Sequence, residues 1–122
     1  MKAISSLLFA LFFLAGCSDL DSHIVGRYSM TSIDGVRSLS YKIDSEGSIS
    51  LIDHARYLAH NNKYIAVQGR RTNEGPFEGA GAYYLVPVYD VYTFRPDSGI
   101  IGPLKWDDFD VRCKAEGLST VR

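Results

Sequence analysis

An apolar leader at the start of the chain limits which residues can join a globular fold. A single lysine precedes residues 3–13, which are apolar except for two serines. The small residues Ala15 and Gly16 then stand directly before Cys17. This order is typical of a secretory signal peptide, and the run is shorter than the ~20 residues of a transmembrane helix. A buried helix of the domain would instead show a polar face. We therefore expect residues 1–16 to be a signal peptide.

The end of the leader, Leu14-Ala15-Gly16-Cys17, resembles the lipobox of bacterial lipoprotein precursors. The resemblance implies cleavage before Cys17, which then carries diacylglycerol on its sulfur and an acyl chain on its amine. Two or more acyl chains hold a protein stably at a bilayer. Ser18 occupies the position where an aspartate often retains lipoproteins at the inner membrane, so the resemblance implies an outer-membrane anchor facing the periplasm.

The remaining length suits one domain. We expect a lipidated tether over residues 17–22 and a single β-rich domain over residues 23–122. At ~3.3 Å per residue the tether reaches no more than roughly 20 Å, so the domain is expected near the bilayer. The formal net charge of −1 argues against nucleic acid as a partner and against a polybasic membrane-binding surface.

Strand-forming residues, in part alternating with polar ones, predict a sheet. The predicted segments are residues 23–30, 39–43, 48–52, 64–68 and 82–94, with a further short strand at 100–101. The second and third flank a Gly-containing turn, which predicts a β-hairpin. Pro87 marks an edge, a bulge or a break in the last run, because it cannot donate a ladder hydrogen bond. Residues 53–62 are ambiguous, and we interpret them as a short helix or an irregular crossing.

A helix is predicted from about Trp106 to Glu116. Acidic residues at its start and basic residues near its end suit the helix dipole, and Gly117 is a suitable C-terminal cap. Trp106, Phe109 and Cys113 share one helical face. The sequence thus predicts an α+β fold, a mainly antiparallel β-sheet of about five or six strands with a C-terminal helix packed on one face.

The chain has two cysteines, Cys17 and Cys113. If Cys17 carries lipid, the chain cannot form an internal disulfide. A leftover cysteine in an exported protein indicates burial or intermolecular pairing. The helical pattern around Cys113 favours burial against the sheet.

A second resemblance covers residues 83–117. A tyrosine-rich strand, a turn, Gly102-Pro103-Leu104 and a short acidic helix carrying Phe109 resemble small uncharacterised bacterial lipoproteins and some immunity-type proteins. The resemblance supports the fold more than any activity.

The sequence predicts no catalytic residue, metal site or cofactor. No serine stands in a nucleophile elbow. His54 and His60 are six residues apart, whereas a metal-binding pair on one helix face needs a spacing of four. The carboxylates of Asp107, Asp108 and Asp110 suit the helix dipole rather than acid–base chemistry.

Two functional hypotheses follow from these patterns. The first is a non-enzymatic, membrane-anchored lipoprotein that binds another protein, either as an immunity protein or in envelope assembly. Its candidate surface is Arg70, Arg71 and Tyr84, in and beside a Gly-rich loop, because Tyr and Arg are enriched at interfaces. Ordinary sheet packing is the alternative for the tyrosine. The second hypothesis is a small-ligand carrier or enzyme with a pocket formed by Asp53, His54 and His60.

Overall fold

The computed structural model describes residues 22–44, 47–72 and 81–120. The predicted signal peptide, the lipidation residue Cys17 and all of the tether before Ser22 lie outside these residues. Most of the Gly-rich loop, residues 73–80, lies outside them as well.

The described part of the chain forms one antiparallel sheet of seven strands, followed by a single helix. The elements are β1 (Ser22–Val25), β2 (Tyr28–Ile33), β3 (Val36–Lys42), β4 (Ser48–His60), β5 (Tyr64–Arg71), β6 (Ala82–Pro87), β7 (Ile101–Leu104) and α1 (Trp106–Ala115). Each strand pairs with the next in sequence, so the sheet is a meander whose edges are β1 and β7. A mainly antiparallel sheet with one C-terminal helix was the predicted outline, and the sheet exceeds the predicted five or six strands.

The additional strand comes from residues 23–30, which form a hairpin instead of one strand. Gly26 adopts a φ of 54° in the turn between β1 and β2, a left-handed conformation that glycine takes without a steric cost. The predicted β3–β4 hairpin is confirmed, with Lys42 opposite Ser48.

The interpretation of residues 53–62 as a helix or irregular crossing is wrong, because β4 continues through them to His60. Two irregularities interrupt its pairing with β5, one between Asp53 and Arg56 and one between Tyr57 and Ala59. His54, inside the first, has a positive φ of 50°. A β-bulge adds a residue to one strand and shifts the alternation of its side chains, so the period of two is lost from the sequence.

The run from residue 82 to residue 94 leaves the sheet at Pro87. The proline pairs with Tyr64 as the last residue of β6, and one further backbone bond to the neighbouring strand follows, from the Val88 N–H to the Lys63 carbonyl. Pro87 therefore marks a break, one of the three alternatives that the sequence left open.

Each face of the sheet carries a buried cluster: α1 covers the smaller one, and the larger one lies on the opposite face. We call this opposite face the inner face. Its buried residues are Tyr28, Met30, Leu39, Tyr41, Leu51, Ile52, Ala55, Ile65, Val67, Tyr84 and Val86. The outer face contains Ala66, Tyr83 and Leu85 together with Phe109, Cys113 and Leu118. The alternation of Tyr83 and Tyr84 between faces explains why aromatic residues stand at consecutive positions.

Helix α1 packs on the outer face, as the sequence predicted. The Phe109 ring is fully buried, with its centroid 5.0 Å from that of Tyr83. Cys113 is also fully buried, which confirms its predicted place in the core. The helix ends in a Schellman motif, because Gly117 donates to the Lys114 carbonyl and Leu118 to the Cys113 carbonyl.

Candidate functional site

Two buried tyrosines attach the segment after Pro87 to the inner face. The Tyr28 hydroxyl donates to the Pro87 carbonyl at 2.9 Å and accepts the Tyr89 backbone N–H at 3.2 Å. The Tyr41 hydroxyl accepts the Thr93 backbone N–H at 3.0 Å. Both tyrosine side chains are fully buried. A segment outside the sheet is thus held by hydrogen bonds from the core.

This attached segment carries apolar side chains into solvent. Val91 is 79% exposed and Phe94 is 81% exposed, while Tyr92 is partly covered. The Tyr92 and Phe94 rings meet edge to face with centroids 5.3 Å apart, and the Arg27 guanidinium lies 4.8 Å from the Tyr92 centroid. We call Val91, Tyr92 and Phe94 the aromatic tip. Neighbouring exposed apolar residues of this kind are typical of interaction sites.

A small cavity of about 160 Å³ borders the aromatic tip and is flanked by two arginines. Phe94 and Ile49 contribute its apolar side, and Arg71 and Arg95 its basic side. Arg71 donates to the Asp97 carbonyl at 3.5 Å, and the Arg95 Nε atom lies 3.3 Å from the Asp97 carboxylate. An apolar centre with a charged rim is the usual anatomy of a protein–protein interface.

The structure separates the three predicted partner-binding residues. Arg71 lines the cavity beside the aromatic tip. Arg70 precedes it on β5, and successive strand residues project from opposite faces, so Arg70 does not share that surface. Tyr84 is only 1% exposed and belongs to the inner core. The prediction that Tyr84 lies on a binding surface is wrong, because both faces of β6 are covered.

The three residues of the small-ligand hypothesis do not meet in one pocket. The Asp53 carboxylate accepts a hydrogen bond from the Ser38 hydroxyl at 2.9 Å. His54 is exposed at the bulge, and His60 lies six residues farther along the strand, where it lines a cavity that includes neither Asp53 nor His54. His60 instead forms a 2.6 Å hydrogen bond through Nδ1 with the Tyr57 hydroxyl. Burial raises the pKa of this tyrosine.

Within the described ranges, no three histidine, cysteine, aspartate or glutamate side chains lie close enough together to hold a metal ion. No helix in the same ranges is long and apolar enough to cross a membrane. No protein family matches the chain, and no curated protein and no solved structure is similar to it.

The aromatic tip itself was not selected from the sequence. Val91, Tyr92 and Phe94 continued the β-like run and were assigned to a strand. The sequence feature that indicates the tip is Pro87, because apolar residues that follow a proline at the end of a strand are not expected to pair in the sheet.

Proposed function

We propose that the protein is a lipid-anchored lipoprotein of the bacterial cell envelope that binds another protein and catalyses no reaction. The lipobox resemblance around Cys17 supports the anchor and, with Ser18, the outer membrane facing the periplasm. The α+β domain that follows serves as a rigid carrier for the binding surface. An immunity protein against a secreted toxin and an accessory of envelope assembly are its two concrete forms.

The observation that carries the proposal is the aromatic tip. Val91 and Phe94 remain exposed although the backbone between them is fixed by the Tyr41 hydroxyl. Full burial of one such side chain by a partner contributes roughly 1.5–3 kcal/mol of favourable free energy to binding. Because the segment is already attached to the core, a partner has little ordering entropy to overcome, and preorganisation of this kind raises affinity.

The position of the aromatic tip relative to the proposed anchor also supports binding of a protein partner. Strand β1 begins at Ser22, the last residue of the proposed tether, and runs for about 13 Å to the turn that contains Arg27. Arg27 contacts Tyr92 of the aromatic tip. With the anchor at Cys17, the tip lies at the end of β1 away from the tether, where a protein partner can reach it.

Affinity capture of the full lipoprotein from detergent-solubilised native cells, followed by mass spectrometry, tests the proposal. We expect a stoichiometric protein partner, and a double Val91→Gln, Phe94→Gln variant should lose at least about 90% of it, since exposed anchors dominate interface energetics. The matched control is Val111→Gln, because Val111 is 69% exposed on α1. Equal capture by both variants would contradict the role of the tip.

The anchor is tested separately. Cys17→Ser should abolish incorporation of radiolabelled palmitate and release the protein from the membrane fraction. Full labelling of the serine variant would contradict lipidation at this residue. The partner's identity then separates the immunity form from the envelope-assembly form.

A further inference from the structure

A second cavity opens on the inner face at the opposite end of β1 from the aromatic tip. Its volume is about 250 Å³. Ile24 and Met30 form an apolar floor, and Met30 is almost fully buried. Arg37, Tyr57 and His60 line the same cavity. It borders Ser22, the last residue of the proposed tether and the first residue that the structure describes.

The strand register directs two of the polar side chains to this cavity. Tyr57 lies opposite Val67, and His60 lies opposite Ile65. Residues directly opposite each other on antiparallel strands project from the same face, and Val67 and Ile65 both belong to the inner core. The two side chains therefore extend the inner face beyond its apolar core.

Arg37 reaches the same rim from β3. It precedes Leu39 by two residues, so both project from the inner face, and Leu39 lies opposite Met30 of the floor. Arg37 is exposed, and its guanidinium forms neither a hydrogen bond nor an ion pair with any residue of the described ranges. Its guanidinium is a permanent cation with donors available for a ligand.

The hydrogen bond between Tyr57 and His60 sets the donor that the imidazole offers. When the phenol donates to Nδ1, the neutral ring carries its proton on Nε2. His60 then offers an N–H donor from Nε2. Neither aspartate nor glutamate is among the described residues that line this cavity. The rim is thus rich in donors and positively charged.

We propose that this cavity binds a small amphiphilic anion. The oxyanion, a carboxylate or a phosphate, pairs with Arg37 and the Nε2–H of His60, and the apolar part of the ligand packs on Ile24 and Met30. Guanidinium and imidazole donors in charge-assisted hydrogen bonds are the strong anchors for such groups. The same chemistry is offered by a free organic anion and by the headgroup of an anionic lipid. In the cell the second source rests on the proposed membrane anchor, which keeps the cavity close to the bilayer, whereas the headgroup contacts themselves need no lipid on Cys17.

Methyl-labelled methionine is the reporter for the test, because the only methionines of the chain are Met1 and Met30. The full chain with Cys17→Ser is titrated with hexyl phosphate and hexanoate, and hexanol is the uncharged control. We expect a saturable shift of the Met30 methyl signal with at least one of the two anions and none with hexanol. No saturable shift with either anion, or an equal shift with hexanol, overturns the proposal.

Matched variants identify the donors. Arg37→Gln should weaken binding about tenfold or more, since it removes a charge-assisted pair. Arg112→Gln on α1 should leave it unchanged. Tyr57→Phe should weaken binding about threefold, because the His60 ring loses the bond that orients it. Equal affinity of Arg37→Gln and the parent chain would overturn the assignment.

Flotation with phosphatidylglycerol vesicles distinguishes the ligand sources. Arg37-dependent flotation of the unanchored chain would assign the cavity to lipid headgroups, whereas binding of the soluble anions alone would assign it to a free ligand. Arg37→Gln should leave partner capture through the aromatic tip intact. Failure of this proposal is therefore separable from failure of the proposed function.

Discussion

The buried hydroxyl of Tyr28 should be worth more to stability than that of Tyr41, although both side chains are fully buried. The Tyr28→Phe variant leaves two backbone groups without their partner, the Pro87 carbonyl and the Tyr89 N–H. An unpaired buried polar group costs about 1–3 kcal/mol, and two part-buried groups near the lower end of that range give an expected loss of about 3 kcal/mol. Tyr41→Phe leaves one N–H unpaired and should cost about 1.5 kcal/mol.

Urea unfolding at 25 °C measures these losses. With an m-value of about 1.5 kcal/mol/M, the midpoint should fall by about 2 M for Tyr28→Phe and about 1 M for Tyr41→Phe. Tyr64→Phe is the control, because no hydrogen bond of the Tyr64 hydroxyl is found in the described ranges. Its effect should stay within about 0.5 kcal/mol. A Tyr28→Phe midpoint equal to that of the control would refute the claim that this hydroxyl attaches the segment after Pro87.

Three further outcomes are expected. Burial raises the pKa of Tyr28 above its ordinary value of 10.0, so the unfolded chain loses this proton at a lower pH than the folded chain. The contribution of this group to the free energy of unfolding is therefore complete below pH 10 and falls as the pH rises toward the folded pKa. Alkaline unfolding titrations should show a shallower decline for Tyr28→Phe. Burial also raises the pKa of the Cys113 thiol, which disfavours the reactive thiolate. In the Cys17→Ser chain, a thiol reagent should therefore react with Cys113 about 100-fold more slowly in buffer than in urea. Comparable rates in the two solutions would contradict the burial of Cys113. Phe109→Ala should cost about 3–5 kcal/mol of unfolding free energy in urea titrations, and an unchanged midpoint would show that α1 does not depend on this contact.

Local patterns predicted the regular parts of the fold. Alternation identified the strands that form the β3–β4 hairpin, and the spacing of Phe109 and Cys113 identified the buried face of α1. These features depend on neighbouring residues alone, so periodicity is sufficient. The bulged half of β4 was missed because its pairing with β5 determines its conformation, and an irregular strand has no constant period.

The candidate site was less accessible to such reasoning. Arg71 was selected for its residue type and its proximity to tyrosines, and it does line the cavity beside the aromatic tip. Tyr84 was selected on the same grounds and is buried. Residue type does not distinguish an exposed tyrosine from a buried one when both faces of a strand are covered.

The sequence by itself determined the β3–β4 hairpin, the helix α1, the burial of Cys113 and the prediction of a lipid anchor, because each depends on residues close together in the chain. Only the tertiary structure decided which apolar residues remain in solvent. Val91 and Phe94 differ from the apolar residues of β6 because this strand ends at Pro87 and the hydroxyls of Tyr28 and Tyr41 hold the following backbone outside the sheet. Those bonds join residues about fifty to sixty positions apart, a separation at which local periodicity carries no information.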